Sequence, residues 1–353
     1  MQTLSLIVPF FAVIGIGYLA ARTRLLPMVS VGGLNTFVLF FALPAMLFQF
    51  AAGTPVGEVL NPILLGLWFL AGLLVMAGAI VTGLRQGRGW LDAAFGGLVA
   101  VTPNSGFMGL PLIIALRGEG ASAPLVATLL VDIVIMQSVA LALTQQGQRG
   151  PVGEKVRTTV KRVASNPLPW AIVLGALWGA TGWSLFGPLD AVLTMLASAS
   201  TPVALFTIGA VLARTAAPAT HAGSRTRTSS HAPAERTTEP DGNVAGPDEM
   251  SAGPDGAATS RTKDTLDIGW LTALKLLIHP ALVWGLGSLA MAAGLPLHPG
   301  ALIVLILAAA LPAAANAAML AERLGAQSGR IAAVILVSTV LGFGTFTAVA
   351  LLV

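Results

Sequence analysis

The sequence contains no cysteine, and only 10% of its 353 residues are charged. The first absence excludes disulfides and thiolate chemistry, and the four histidines are too scattered to suggest a metal site. Soluble domains carry about 25% charged residues, whereas here 55% of the residues are hydrophobic. The composition therefore indicates a protein that resides in a membrane, and no pattern calls for a cofactor.

Basic residues outnumber acidic ones, 19 against 15, and the sequence pI is about 10.1. A basic face would suggest nucleic acid, but the Lys and Arg residues are spread over the polar connections between apolar segments. This distribution is the positive-inside pattern of membrane proteins. We therefore predict no nucleic-acid partner and a cytoplasmic position for the basic connections.

Ten apolar segments alternate with these connections, and each has about the 20 residues that a helix needs to cross a lipid bilayer. They cover residues 3–21, 33–52, 61–83, 93–116, 122–144, 167–186, 190–213, 268–293, 300–321 and 331–353, numbered below as spans 1 to 10. We predict an all-α integral membrane protein with ten transmembrane helices. The amino terminus lacks a basic n-region, so a cleaved signal peptide is not expected.

The basic residues also orient these spans. With the amino terminus outside, only Arg117 and Lys275 of the 19 basic residues fall outside the cytoplasmic connections. Nine or eleven spans would scramble this segregation. The pattern thus predicts a multi-pass protein of the cytoplasmic membrane with both termini outside.

Two of the cytoplasmic connections are long. Residues 145–166 form a basic loop, and residues 214–267 are rich in Ser, Thr, Pro, Gly and charges of both signs. The second segment cannot bury enough apolar area to offset its ordering entropy. We expect a disordered cytoplasmic linker at 214–267, which serves either as a tether or as a docking site.

The spans repeat with a period of five. Span 2 aligns with span 7 around a shared proline and a Leu-Phe pair, and span 5 aligns with span 10 over residues 129–135 and 335–341. Spans 4 and 9 share a central proline and a following asparagine. Because five is odd, the halves 1–144 and 167–353 enter the membrane from opposite sides, which is the inverted repeat of many secondary transporters.

Spans 4 and 9 are each broken by their proline, which removes a backbone donor. Broken helices persist in hydrocarbon only against protein or a wet cavity, and a matching pair points to a transporter's binding site. The amides that open the resumed helix, at the positive end of its dipole, favour an anionic group such as a carboxylate. A structural kink is the alternative. The candidate substrate-binding residues at the two breaks are Pro103, Asn104, Ser105, Gly106, Pro312 and Asn316.

Asp132, Lys275 and His279 are ionisable residues well inside predicted spans. Asp132 in span 5 suggests proton coupling or cation contact, or else a hydrogen-bonded bridge between helices through Thr128. Lys275 in span 8 either snorkels to the cytoplasmic interface or faces the cavity and attracts anions. His279 lies on the same helical face as Lys275 and immediately before Pro280, where a structural role is favoured.

These residues resemble the auxin efflux carrier family of secondary transporters, in the bile acid–auxin transporter superfamily. That family includes the plant PIN-type carriers and bacterial malonate or malate permease relatives. The resemblance covers nearly the whole membrane portion, without the 214–267 linker. It is most specific at residues 104–111, Asn-Ser-Gly-Phe-Met-Gly-Leu-Pro, and extends to 34–48, 275–280 and 311–320.

The resemblance implies ten helices in two inverted five-helix repeats, whose fourth and ninth helices cross at their proline breaks. It implies an elevator-like movement of a transport region against a scaffold, a substrate carboxylate held at the crossing by Asn104, and a homodimer. Pro312 and Asn316 are separated by three alanines rather than adjacent, so the two half-sites should differ. The single tyrosine, Tyr18, falls in span 1, which speaks against a tyrosine-lined pocket for auxin.

We therefore predict a secondary transporter for a small organic anion, a mono- or dicarboxylate, without enzymatic activity. One alternative is a membrane sensor that binds a ligand without transporting it. Another is an intramembrane hydrolase that combines His279 and Asp132 with a serine. Three serines are available, but no nucleophile-elbow pattern accompanies them. They are Ser105, Ser198 and Ser200. Proton coupling and uniport fit the sequence equally.

Overall fold

The computed structural model describes residues 2–146, 152–216 and 254–353, and every regular element in these ranges is a helix. The helices are α1 (Gln2–Arg22), α2 (Val29–Ala52), α3 (Pro62–Arg85), α4 (Trp90–Val101), α5 (Ser105–Arg117), α6 (Glu119–Leu143), α7 (Val152–Ala164), α8 (Pro167–Thr181), α9 (Gly187–Ala216), α10 (Asp264–Ala292), α11 (Pro299–Ala310), α12 (Asn316–Leu324) and α13 (Ser328–Leu352). A single-turn helix, Val56–Val59, precedes α3.

Within the described residues, seven helices are long and apolar enough to cross a membrane by length and composition, namely α1, α2, α3, α6, α9, α10 and α13. Helices α4, α5, α8 and α11 are apolar but shorter. Each apolar segment predicted from the sequence coincides with a helix or, for spans 4 and 9, with a broken one. The chain is therefore a multi-pass helical membrane protein.

The helix of span 6 is shorter than predicted. Helix α8 ends at Thr181 rather than continuing to residue 186. Gly182, which follows, has a left-handed backbone with φ of 67°. This conformation terminates helices, and glycine adopts it without steric cost.

The helices pack as two groups. The first bundle consists of α1, α2, α8 and α9, whose backbones come close together where glycine faces the neighbouring helix. Any side chain at Gly209 would collide with the backbone at Ile14, and one at Gly175 with the backbone at Phe48. Small residues permit the same close approach in other membrane helix pairs. The second bundle consists of α3, α4, α6 and α10 to α13, while α5 contacts both bundles.

Four π-helical turns interrupt the α-helices among the described residues. Three of them contain a residue singled out from the sequence, namely Ser105, Asp132 or Lys275. Such turns widen the helix locally and occur frequently at functional sites. The four turns are Val38–Ala42, Ser105–Gly109, Val131–Met136 and Leu274–Ile278.

The predicted basic loop at 145–166 is not all loop, because it contains helix α7. After Gly153 this segment has no glycine or proline until Pro167, and residues such as Glu, Lys and Arg favour a helix. The helix ends before Asn166, whose side chain accepts a hydrogen bond from the amide of Leu168 and caps α8.

The predicted disordered linker at 214–267 also differs from the structure at its ends. Residues 217–253 lie outside the described residues, but Pro254–Ala273 is helical and continues into α10. The carboxylate of Asp264 lies 2.8 Å from the guanidinium of Arg88. Asp267 lies 3.4 Å from the guanidinium groups of both Arg88 and Arg330. These ion pairs hold the start of α10, which a composition argument over the whole segment could not anticipate.

Candidate functional site

The two proline breaks lie against each other. The amide of Asn104 donates a hydrogen bond to the carbonyl of Pro312 at 2.8 Å, and the amide of Ala314 donates one to the carbonyl of Thr102 at 3.0 Å. The two segments therefore form a short antiparallel bridge, with Pro103 opposite Ala313. Backbone groups freed by the breaks satisfy one another, as an environment without water requires. We refer to residues 102–104 and 312–314 as the paired breaks.

Two glycines allow this close approach. A methyl group at Gly109 would lie 2.7 Å from the side chain of Leu311, and one at Gly342 would lie 2.7 Å from the ring of Pro312. Both distances are far below ordinary carbon–carbon contact. The second break is therefore seated in α5 on one side and in α13 on the other.

A hydroxyl group supports the second break. The amide of Ala313 donates to the Ser338 hydroxyl oxygen at 3.2 Å, and that hydroxyl donates to the carbonyl of Ile335 at 3.0 Å. Sequence reasoning did not single out Ser338. The repeat alignment contained a signal for it, because Ser338 stands opposite Asp132 when residues 335–341 are placed over 129–135.

The expectation that the amides of both breaks face a ligand is therefore wrong in part. The amides of Asn104, Ala313 and Ala314 are already hydrogen-bonded within the protein. The amides of Ser105 and Gly106 open the resumed helix α5, where no carbonyl of the same helix reaches them. They have no backbone hydrogen bond to the other described residues. Of the amides at the two breaks, those of Ser105 and Gly106 are therefore the ones left to bind an anion.

A cavity of about 670 Å³ borders the paired breaks. Its wall contains five of the candidate residues, which are Pro103, Asn104, Gly106, Asp132 and Asn316. The side chains of Asn104 and Asn316 are buried and half-buried, respectively, and neither carboxamide bonds to another described residue. Sequence reasoning missed Gln137, another carboxamide in this wall. A cavity of this size suits a small molecule.

Three other candidates lie outside that wall. Ser105 is completely buried, and its hydroxyl has no partner among the described residues. Pro312 is buried against Gly342. Lys275, at 0% exposure, neither snorkels to an interface nor lines the cavity. The cavity therefore gathers part of the predicted set, and the remainder lies behind it.

Lys275 contacts the second broken helix. Its ammonium group donates to the carbonyl of Ala309 at 2.7 Å, in the last turn of α11. The last carbonyls of a helix lack intrahelical partners and carry the negative end of its dipole. A cation placed there stabilises the truncated end. Lys275 thus braces the second break from α10.

Asp132 bridges two helices, although through a different residue from the one proposed. Its Oδ1 accepts a hydrogen bond from the indole of Trp68 at 2.8 Å, whereas Thr128 donates to the carbonyl of Leu125. Oδ2 of Asp132 has no partner among the described residues. Trp68 is a further residue that the sequence did not reveal, since it is one apolar residue among many in span 3.

His279 completes a buried group around Trp68. The imidazole and indole ring centres are 5.0 Å apart, and neither imidazole nitrogen has a hydrogen-bond partner among the described residues. A hydrolytic triad requires the histidine to be hydrogen-bonded to both a serine and a carboxylate. Here Asp132 bonds to Trp68 instead, and Ser198 donates to the carbonyl of Met195. The geometry of the described residues does not support the hydrolase alternative.

Similarity to known proteins agrees with a multi-pass helical membrane protein. The profile of a family described as "Membrane transport protein" matches residues 3–348. The chain belongs to the auxin efflux carrier family. Members of this family are membrane transporters, so the chain is a membrane transport protein.

Three relatives show how wide the auxin efflux carrier family is. A Rhizobium meliloti protein provisionally named a malonate transporter is 26% identical over 356 residues, covering 97% of this chain and 93% of the relative. Auxin efflux carrier component 8 of Arabidopsis thaliana is 24% identical, with 60% and 72% covered. The Escherichia coli transporter YfdV is also 24% identical, with 59% and 68% covered.

Proposed function

We propose that this protein is a secondary transporter for a small organic anion, a mono- or dicarboxylate, which binds beside the paired breaks. The observation that carries the proposal is the cavity wall, where the free carboxamides of Asn104 and Asn316 accompany the amide of Gly106. These groups donate hydrogen bonds to carboxylate oxygens without requiring a buried cation. The relative named a malonate transporter, which aligns over nearly the whole chain, supports a carboxylate substrate.

The proposed architecture has ten membrane crossings in two inverted repeats, residues 1–144 and 167–353. Each bundle draws equivalent members from both halves, since the first contains spans 1, 2, 6 and 7 and the second contains the other six. The antiparallel pairing of the breaks in spans 4 and 9 supports the same symmetry. In such repeats, the binding site lies where the two broken helices meet.

Transport would follow from movement of the second bundle against the first. The cavity wall combines Leu43 and Leu168 of the first bundle with Asn104 and Asp132 of the second. A second cavity of about 600 Å³ lies toward the other end of the same interface, between α2, α5, α6 and α9. A shift of one bundle would close the first cavity and open the second, which is alternating access.

The test of function uses purified protein in vesicles. Labelled malonate and a panel of other mono- and dicarboxylates should be taken up, and Asn104→Ala should lower uptake by about 100-fold while leaving the melting temperature in detergent unchanged. Asp190→Asn, an exposed residue at the start of α9, serves as the control variant. Normal uptake by Asn104→Ala would refute the site, and failure of the whole panel with the unaltered protein would refute carboxylate transport.

A pair of cysteine crosslinks tests the movement, because the chain has no cysteine of its own. The hydroxyl of Thr54 donates to that of Ser122 at 3.5 Å across the two bundles. Gln49 donates to Thr194 at 2.8 Å within the first bundle. Oxidised Thr54→Cys/Ser122→Cys should lose uptake and recover it on reduction, whereas Gln49→Cys/Thr194→Cys should transport in both states. Equal transport by both oxidised proteins would contradict a movement between the bundles.

Asp132 is the residue we propose for proton coupling. Its partnerless Oδ2 is buried at the cavity, and an unpaired carboxylate there is costly unless a proton or a cation accompanies it. Lys275 of α10 acts on it electrostatically. Asp132→Asn should keep exchange of internal for external substrate and lose accumulation driven by a proton gradient. Unchanged gradient-driven accumulation would contradict this role.

A further inference from the structure

Helix α7 lies between the two bundles at the mouth of the main cavity. In the middle of α7, the hydroxyl of Thr159 accepts a hydrogen bond at 2.7 Å from the side chain of Gln145, which follows α6. At the end of α7, the indole of Trp170 in α8 donates to the carbonyl of Ala164 at 2.8 Å. Because α6 belongs to the second bundle and α8 to the first, α7 is fastened to both. It is therefore placed where a ligand passes on its way to the paired breaks.

The cavity mouth carries positive charge. Arg157 and Lys161 of α7 and Arg323 of α12 line the same cavity as Asn104. All three cations are exposed, and none forms an ion pair with another described residue. Glu154 is the acidic residue that α7 adds to this wall. Cations thus outnumber acids at the mouth, in contrast to the neutral amides deeper in the cavity.

From this arrangement we infer a second, outer anion site, formed by Arg157, Lys161 and Arg323, that binds the carboxylate before or after it occupies the inner site at Asn104. The inference rests on the proposed function. Guanidinium groups bind carboxylates through paired hydrogen bonds, and lysine adds a point charge. A charged mouth with low-dielectric walls also raises the local concentration of an oppositely charged ligand.

The orientation of these side chains distinguishes this role from lipid binding. A basic amphipathic helix can lie on a membrane and contact anionic headgroups. Arg157 and Lys161, however, are in the wall of the cavity that reaches the paired breaks. Their positions four residues apart place them on one face of α7. A dissolved carboxylate in the cavity is therefore the ligand that this face fits.

The test compares Arg157→Gln/Lys161→Gln with Arg24→Gln/Arg85→Gln in vesicles. The control removes the same charge from two exposed residues that do not line the cavity. The first variant should raise the KM for malonate by roughly fivefold at low salt with an unchanged maximal rate, and added salt should reduce the difference. The control should match the unaltered protein. An unchanged KM in the first variant, or an equal rise in the control, would overturn the inference.

Two further measurements distinguish the outer site from the inner site and from a lipid-binding surface. In Asn104→Ala, malonate should still bind weakly and in a salt-sensitive manner, and adding the Arg157→Gln and Lys161→Gln changes should remove that binding. Its absence in Asn104→Ala would overturn the outer site, whereas normal uptake by Asn104→Ala would refute the inner one. The KM shift should persist in vesicles of phosphatidylcholine alone. Loss of the KM shift in these vesicles would indicate that the basic face of α7 binds anionic lipid instead.

Discussion

The break between α4 and α5 can be compared with the break between α11 and α12, because each donates one backbone hydrogen bond to the other. The second break has two side-chain supports, the Ser338 hydroxyl at Ala313 and the Lys275 ammonium at Ala309. At the first break, no side chain of another helix bonds to the backbone of residues 102–104 among the described residues. The first break instead places the buried side chain of Asn104 in the cavity wall.

This difference suggests a division of roles between the two breaks, although they share one backbone arrangement. Three alanines separate Pro312 from Asn316, so the second break presents little polar chemistry near its proline. Asn104 directly follows its proline and is only 5% exposed, which limits competition from water. A hydrogen bond to a charged group contributes more where water is excluded. The first break is therefore the better candidate for recognition, and the second for holding the pair in place.

The largest expected effect tests this division directly. Asn104→Ala should lower kcat/KM for carboxylate uptake by about 100-fold, and Asn316→Ala by about 10-fold, because hydrogen bonds to charged groups contribute roughly 1.5–3 kcal/mol each and Asn316 is less buried. Initial uptake rates in vesicles measure both, with melting temperatures as the check on folding. Equal losses would mean that the two breaks share recognition.

Much of this arrangement could be predicted from the sequence. The proline and asparagine of each break are visible in uncharged runs, and the ten apolar segments fall on helices because length and hydropathy dominate membrane insertion. The pairing of the breaks follows from the repeat only when both halves are considered together. Asn104, Gly106 and Asn316 were accordingly found from the sequence and lie in the cavity wall.

Other features could not be predicted, for physical reasons. Trp68 and Gln137 lie in apolar spans, where periodicity does not say which face meets a cavity. The sequence predicts a basic loop where α7 forms, although a charged composition and helix formation are compatible. Lys275 is paired with a backbone carbonyl 34 residues away, a partner that leaves no mark on the sequence.

A smaller effect distinguishes how tightly the second break packs against α5 and against α13. Gly342→Ala should destabilise the protein by about 2 kcal/mol, because the new methyl group meets the rigid ring of Pro312 and overpacking of this kind costs about 1–3 kcal/mol. Gly109→Ala should cost less, since it meets the end of the flexible Leu311 side chain. Melting temperatures in one detergent compare the two. A larger loss for Gly109→Ala would reverse the assignment of the more rigid seat.

The smallest effect concerns the hydroxyl that supports the second break. Ser338→Ala should cost about 1 kcal/mol of stability, because the buried amide of Ala313 loses its acceptor. The neighbouring Thr339→Val is the matched control, since the Thr339 hydroxyl donates only to the carbonyl of Ile335 in its own helix. The measurement is the melting temperature in detergent, together with uptake at saturating substrate.

Ser338→Ala should therefore lower the melting temperature while Thr339→Val leaves it nearly unchanged, and neither variant should change the preference among carboxylates. If Ser338→Ala altered that preference without loss of stability, the second break would take part in recognition, and the proposed division between the two breaks would fail. If both variants were equally destabilised, the bond to Ala313 would not support the break. A stability loss confined to Ser338→Ala would show that the Ser338 hydroxyl of α13 supports the second break through its bond to Ala313.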